Sequence, residues 1–118
     1  MTVLVGERKA RRAARAALDK HALDLIILDV QRVCSVTDYF FVCSGRSTTH
    51  LETITQAIRE ELRAENVRPL HAEGVADSGW VLLDYGDVLV HVFLAETRAY
   101  YALERLWGDA PTLELDRA

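Results

Sequence analysis

Two carboxylates and an imidazole lie close together in the sequence, at Asp84, Asp87 and His91, and such a set could bind a transition metal. The segment resembles a β-hairpin, and strand residues rise by about 3.3 Å each, so Asp87 and His91 would lie about 13 Å apart along one strand. That separation is too large for a shared ion. The remaining histidines show no pairing at the spacing of helical ligands: His21, His50 and His71. We therefore expect no metal site and no cofactor.

Candidate nucleophiles cluster where a predicted strand passes into a helix, at Cys43, Ser44 and Ser47. The Gly-x-Ser-x-Gly turn that presents a catalytic serine is absent. The segment also lacks the glycine-rich loop and lysine that hold nucleotide phosphates. Free amide groups at the start of the helix could attract an anion, but a capping turn accounts for the same residues. We expect no catalytic nucleophile here.

Length and composition indicate one ordinary globular domain of the α/β class. The chain has 118 residues, of which 50% are hydrophobic and 27% charged. No apolar run approaches the ~20 residues of a membrane-spanning helix. The net charge of −4 argues against a protein that wraps nucleic acid over most of its surface. Two cysteines are too few for a disulfide scaffold.

These features predict a single domain over residues 1–118, with a core of about 10–107 and a C-terminal tail from 108 to 118. The N-terminus has no basic segment followed by an apolar one, as a secretion signal would. We therefore expect a cytoplasmic protein with reduced thiols.

Helical spacing of apolar residues predicts a first helix from about residue 5 to residue 21. Its apolar side carries four alanines and a leucine: Ala10, Ala13, Ala14, Ala17 and Leu18. The opposite side is basic: Arg8, Arg11, Arg12 and Arg15. A basic helix face is usually solvated, and contact with phosphate groups is the alternative.

Two further helices are predicted, and both have recognisable ends. A helix after the turn Ser44–Thr49 shows a capping box between Thr49 and Glu52, and it ends near Asn66. The last helix is predicted from about residue 95 to residue 107, with Gly108 following its end.

Short β-branched runs predict strands at residues 23–30 and 39–43. The link 31–38 is short enough for an antiparallel pair. Residues 70–73 could form another short strand, followed by a polar loop at 74–79. The resulting order of elements, α-β-β-α-β-β-β-α, predicts one mixed sheet flanked by helices.

The clearest local pattern is a β-hairpin at residues 80–93. A two-residue turn at Tyr85 and Gly86 would place Asp84 opposite Asp87, Leu82 opposite Leu89 and Trp80 opposite His91. One face of the hairpin is then purely aliphatic and belongs to a core: Val81, Leu83, Val88, Val90 and Val92.

The other face, which we call the mixed face, carries Trp80, Leu82, Leu89 and His91, with the two carboxylates beside the turn. Either helices cover this face, or it is exposed and binds something. An aromatic side chain among aliphatic ones with charges at the rim is typical of protein-binding surfaces.

Several motifs, in a fixed order, carry a resemblance that extends over roughly residues 10–107. They are Leu28-Asp29-Val30, Thr37-Asp38-Tyr39-Phe40, Cys43-Ser44-Gly45, Glu73-Gly74, the block from Trp80 to His91, and the segment from Tyr101 to Trp107. Together they resemble the ribosomal silencing factor family, also known as Iojap. The block from Trp80 to His91, with its Asp-Tyr-Gly-Asp turn, is the most specific of them.

The resemblance implies a fold similar to that of nucleotidyltransferases. Those enzymes hold their metal with paired carboxylates on a strand. Here the only such pair with one intervening residue, Glu114 and Asp116, falls in the tail, while Asp84 and Asp87 flank a turn. We therefore expect this fold without catalytic carboxylates, and no enzyme activity. A nucleotide-binding or nucleotidyltransferase enzyme is the disfavoured alternative.

The resemblance also implies a function, which is to bind ribosomal protein fourteen of the large subunit, where the small subunit would dock. Binding there would block subunit association and repress translation when nutrients are scarce. In organelle relatives the role is closer to assembly of the large subunit, and this is the main alternative.

Mapped onto the hairpin, the resemblance implies a partner-binding set of six residues: Trp80, Leu82, Asp84, Tyr85, Asp87 and His91. Trp80 and Tyr85 would be aromatic anchors, and the two aspartates would pair with basic groups of the partner. Leu82 would fill the space between them, and His91 would flank or orient the anchors. A homodimer through an edge strand or the first helix would be compatible with this arrangement.

Overall fold

The computed structural model describes residues 5–101 and 110–113, and its elements follow the predicted order. They are α1 (Gly6–Asp19), β1 (Leu23–Asp29), β2 (Tyr39–Gly45), α2 (Thr48–Arg63), β3 (His71–Glu73), β4 (Trp80–Asp84), β5 (Val88–Leu94) and α3 (Ala95–Tyr101). A short 3-10 turn, Ala76–Ser78, lies in the predicted loop between β3 and β4. The predicted continuation of the last helix to residue 107 and its end at Gly108 lie outside the described residues.

Five strands form one mixed sheet in the order β1-β2-β5-β4-β3. The predicted antiparallel pairing of β1 with β2 is confirmed, and β2 pairs with β5 in parallel at the centre of the sheet. β4 pairs antiparallel with both β5 and β3. The predicted fold class, a single α/β domain with a mixed sheet and flanking helices, is confirmed.

The hairpin is present, but its predicted register is wrong by two residues. Trp80 pairs with Phe93, Leu82 with His91 and Asp84 with Leu89. The Tyr85 N–H donates to the Val88 carbonyl at 3.0 Å, so the ladder extends one residue beyond Asp84. The turn therefore centres on Gly86, whose φ of +85° suits glycine, and on Asp87. Because the shift is an even number of residues, each ladder residue keeps its predicted face.

Both long helices pack on the aliphatic face of the hairpin and of the neighbouring strands. α1 contributes small side chains that allow close approach, and α2 contributes larger ones that are fully buried: Leu51, Ile54, Ile58 and Leu62. At about 25 cal/mol per Å² of apolar surface, burying each of the larger side chains contributes roughly 2 kcal/mol. These side chains form the helix-side core, which covers this face of the sheet.

The N-terminus of α2 differs from the predicted capping box. The cap is Ser47, whose hydroxyl accepts a hydrogen bond from the His50 N–H at 3.1 Å. Thr49 already lies within the helix, so its pairing with Glu52 is not the cap. Asn66, with a φ of +61°, follows the end of the helix as predicted.

The opposite face of the sheet has a smaller core of its own, formed by Leu28, Val30, Phe40, Val42 and Phe93. Residues 110–113 run along β1, with the Asp29 N–H donating to the Pro111 carbonyl at 2.8 Å. Part of the predicted tail thus protects the β1 edge of the sheet. No helix in the described part of the chain is long and apolar enough to cross a bilayer.

Candidate protein-binding face

The mixed face is organised around a hydrogen bond between Trp80 on β4 and His91 on β5. The indole Nε1–H donates to Nδ1 of His91 at 3.1 Å, and the ring centroids are 5.9 Å apart. An indole can only donate, so Nδ1 of the imidazole is unprotonated and the proton of the neutral ring lies on Nε2. This bond fixes the orientation of an indole that is itself only partly buried.

Two phenylalanines, which were not among the predicted site residues, complete an aromatic cluster. Phe93 lies 5.3 Å from Trp80 and Phe40 lies 4.5 Å from His91, measured between ring centroids. The two-residue alternation along β2 and β5 places both rings on this face, and that pattern could have identified them. The aromatic cluster, Phe40, Trp80, His91 and Phe93, thus joins three adjacent strands.

His91 is 5% exposed, and burial lowers the pKa of its imidazole from 6.5 to about 4. The ring is therefore neutral at physiological pH. Its Nε2 is buried and has no hydrogen-bond partner among the described residues. Leaving a buried donor unsatisfied costs roughly 1–3 kcal/mol, so stability alone does not account for a histidine here.

Leu82 and Asp84 lie on the same face as Trp80, as predicted, and both are partly exposed. One carboxylate oxygen of Asp84 accepts the Gly86 N–H at 2.8 Å, which orders the turn. The side chain is thereby fixed at the rim of the aromatic cluster. A carboxylate beside apolar and aromatic groups can pair with a basic side chain of a partner.

Tyr85 and Asp87 were expected beside these residues, but the structure places them on the helix side of the sheet. Tyr85 is 4% exposed and belongs to the helix-side core, and burial raises the pKa of its hydroxyl to about 12. It follows Asp84 in the ladder, so it faces the opposite side. The expectation that Tyr85 is a surface anchor is therefore corrected.

Asp87 links the hairpin turn to the start of α1. Its carboxylate lies 2.6 Å from Lys9 Nζ and accepts the Gly6 N–H at 2.6 Å. The residue before α1, Val5, has no side-chain group that caps the helix. Asp87 instead supplies an acceptor for the Gly6 N–H from 81 residues further along the chain. The Lys9 side chain is only 8% exposed, so the pair is largely shielded from water.

The basic face of α1 is partly neutralised within the chain. Arg11 pairs with Glu7 at 2.8 Å, and Arg12 reaches Glu65 on the segment after α2 at 2.7 Å. Arg8 and Arg15 are exposed, and no described residue forms an ion pair with either. The four arginines thus do not form one uniform positive surface.

The candidate nucleophiles all have structural roles. Burial raises the pKa of the Cys43 thiol to about 12, and Ser44 accepts a hydrogen bond from Arg98 at 3.0 Å while 1% exposed. Ser47 caps α2. Within residues 5–101 and 110–113, no three His, Cys, Asp or Glu side chains are grouped to hold a metal ion.

Comparison with known proteins matches this chain and its fold to one family. The family described as "Ribosomal silencing factor during starvation" matches residues 6–118. The ribosomal silencing factor RsfS of Bacillus subtilis is 42% identical over 104 residues, which are 88% of each chain. The mouse protein named "Mitochondrial assembly of ribosomal large subunit protein 1" is 32% identical over 91 residues, 75% of this chain and 40% of the mouse protein.

A crystal structure of a Chromobacterium violaceum protein superposes with a TM-score of 0.84 at 29% sequence identity. The match covers 100% of this chain and 95% of that one. Relatives in this family are named as ribosomal silencing or assembly factors and not as enzymes. The chain belongs to the ribosomal silencing factor family.

Proposed function

We propose that this protein binds ribosomal protein fourteen of the large ribosomal subunit through its mixed face and so prevents the small subunit from joining. It acts as a non-catalytic obstacle in the cytoplasm and represses translation when nutrients are limiting. Family membership and the names of the relatives support a ribosomal role. The choice of surface rests on the geometry of the mixed face.

The observation that carries the proposal is the preorganised indole of Trp80. The His91 hydrogen bond and the Phe93 contact hold the ring, and Trp80 as a residue is only partly buried. A side chain held in its binding orientation loses little conformational entropy when a partner docks. Tryptophan is also among the residues that most often dominate the energy of protein interfaces.

The surrounding residues suit a basic protein partner. Leu82 and Leu89 add partly exposed apolar surface, and Asp84 offers a carboxylate at the rim. We assign partner contacts to Trp80, Leu82 and Asp84. His91 positions Trp80, while Tyr85 and Asp87 support the hairpin from the helix side.

Sedimentation with purified ribosomal subunits tests the proposal. Added to 50S and 30S subunits in a sucrose gradient, the protein should migrate with 50S and reduce the 70S peak. Trp80→Ala should weaken large-subunit binding by about 2 kcal/mol, or roughly 30-fold. Val36→Ala is the matched control, because Val36 is an exposed apolar residue (72%) in the link between β1 and β2.

Two results would contradict the proposal. If the wild-type protein fails to move with 50S and leaves the 70S peak intact, the ribosomal target is wrong. If a folded Trp80→Ala variant binds like wild type, the mixed face is not the interface.

A role in large-subunit assembly is the second candidate, favoured by the name of the mouse relative. It would use the same surface, so the maturity of the co-purifying particles distinguishes the two roles. Contact with ribosomal RNA would fall to the exposed Arg8 and Arg15 on α1. Replacing both with glutamate would then lower large-subunit affinity and flatten its salt dependence.

A further inference from the structure

A groove of about 290 Å³ lies on the helix side of the sheet, away from the mixed face. One wall is α2, and the other is formed by β3 and the loop that follows it. Its apolar floor includes Val81 and Leu83, which are 6% and 0% exposed. Neither the predicted site nor the proposed ribosomal interface uses this groove.

The groove adjoins the open edge of the sheet. β3 is the edge strand on this side of the sheet, and its three residues are all exposed. No described segment pairs with its outer side. The other edge is different, because residues 110–113 run along β1 there. An unpaired edge presents backbone donors and acceptors that can pair with an extended chain.

Exposed apolar residues flank this edge at both ends. Leu70, immediately before β3, is 77% exposed, and Val75, shortly after it, is 65% exposed. Ala72 points to the helix side, since it pairs with the buried Leu83, and it leaves the groove open beside α2. A strand added along β3 would therefore send every second side chain into the groove.

The charges around the groove select the occupant. Two carboxylates, Glu52 and Asp77, line the groove beside the single guanidinium of Arg59, and the carboxylate of Glu73 lies on the other side of β3, because Glu73 pairs with Leu82 of the mixed face. This balance attracts lysine and arginine side chains and repels nucleic-acid phosphates.

We propose that the edge of β3 and the adjoining groove bind an extended, basic segment of a protein partner, which joins the sheet as a sixth strand. Alternate apolar side chains of that segment enter the groove, and its lysine or arginine side chains meet the carboxylates at the rim. The site is separate from the mixed face and goes beyond the proposed function. Both surfaces can be occupied at once, because they lie on opposite sides of the sheet.

The test uses the whole ¹⁵N-labelled protein, titrated with a seven-residue peptide of alternating lysine and valine and followed by amide chemical shifts. We expect saturable shifts at residues 70–77 and on the α2 wall, and none with a peptide that has glutamate in place of lysine. A peptide with N-methylated valines cannot pair along the strand, and it should bind about tenfold more weakly or worse.

Variants separate the groove from general charge effects. The double variant Glu52→Lys/Asp77→Lys should weaken binding about tenfold or more, because both side chains are exposed at the groove. Glu60→Lys is the matched control, since Glu60 is exposed on α2 but does not line the groove. Trp80→Ala should bind the peptide normally, so failure of this proposal and failure of the ribosomal one can be told apart.

Several outcomes would overturn the proposal. The amide shifts could fail to saturate at millimolar peptide, or the N-methylated peptide could bind as tightly as the unmodified one. The double variant could also bind the peptide as tightly as the wild-type protein. Stronger binding of single-stranded RNA at the same amides would identify a different class of partner. Shifts of the β3 amides with protein concentration alone would identify a second copy of the chain as the occupant.

Discussion

Replacing Asp87 with asparagine should lower the free energy of unfolding by about 3 kcal/mol. Removing one partner of a buried ion pair costs roughly 3–5 kcal/mol, since the other charge is left in a poorly solvated place. The Lys9 side chain is 8% exposed and that of Asp87 is 21% exposed, which favours the lower end of that range. The amide oxygen of asparagine can still accept the Gly6 N–H, so the capping contribution of about 1 kcal/mol is largely kept.

Urea unfolding followed by tryptophan fluorescence measures this loss. Glu60→Gln, on the exposed side of α2, is the control and should change stability by less than about 0.5 kcal/mol. Adding Lys9→Met to Asp87→Asn should restore part of the loss, because the unpaired ammonium is then gone.

A loss for Asp87→Asn no larger than that of the control would refute this reasoning. So would a stable Asp87→Asn variant that no longer binds the large subunit, because Asp87 would then act on the partner. The assay therefore also separates the structural role described above from the partner contact that the sequence suggested.

Three further predictions concern other positions in the fold. The stability contributed by neutral His91 is fully present above pH 6.5 and is lost as the pH falls towards the folded pKa of about 4. This loss amounts to about 3 kcal/mol. Urea unfolding at pH 7 and pH 4 measures it, and the difference between the two pH values should be smaller in His91→Asn than in the wild-type protein. Gly74→Ala should lower the free energy of unfolding by about 3 kcal/mol in the same assay at pH 7. The reason is that φ at Gly74 is +81° and the new Cβ would lie 2.3 Å from the Trp80 carbonyl oxygen. An equal loss in the control variant Ala76→Gly would contradict this prediction. Thr55→Val should raise the melting temperature by a few degrees, since it removes a buried hydroxyl without a described partner.

The sequence predicted the order of the elements and the faces of the hairpin, because both depend on local periodicity. It did not predict the register, since Tyr85-Gly86 and Gly86-Asp87 both place a glycine in a two-residue turn. Only the position of Val88 opposite Tyr85 distinguishes them. The resemblance placed Tyr85 among the partner contacts, and the predicted register placed it in the turn instead of the ladder.

Other parts of the candidate site depend on contacts between distant residues. The acceptor for the α1 N-terminus comes from Asp87, and no local motif indicates a cap so remote in sequence. The predicted register placed Trp80 directly opposite His91, whereas in the structure Trp80 pairs with Phe93 and its indole reaches His91 diagonally. The aromatic types were visible in the sequence, but their mutual orientation was not.

The parallel pairing of β2 with β5 has a consequence for how the chain folds. It joins residues 49 positions apart, such as Tyr39 and Val88, at the centre of the sheet. β1 and β2 can form a hairpin early, but the inner edge of β2 stays unpaired until β5 has been synthesised and has left the exit tunnel. Such long-range pairing slows folding, and the nascent chain meanwhile exposes a strand edge that can associate wrongly. A protein proposed to act on completed large subunits thus reaches its own folded state late in its synthesis, when its central strand pair can first close.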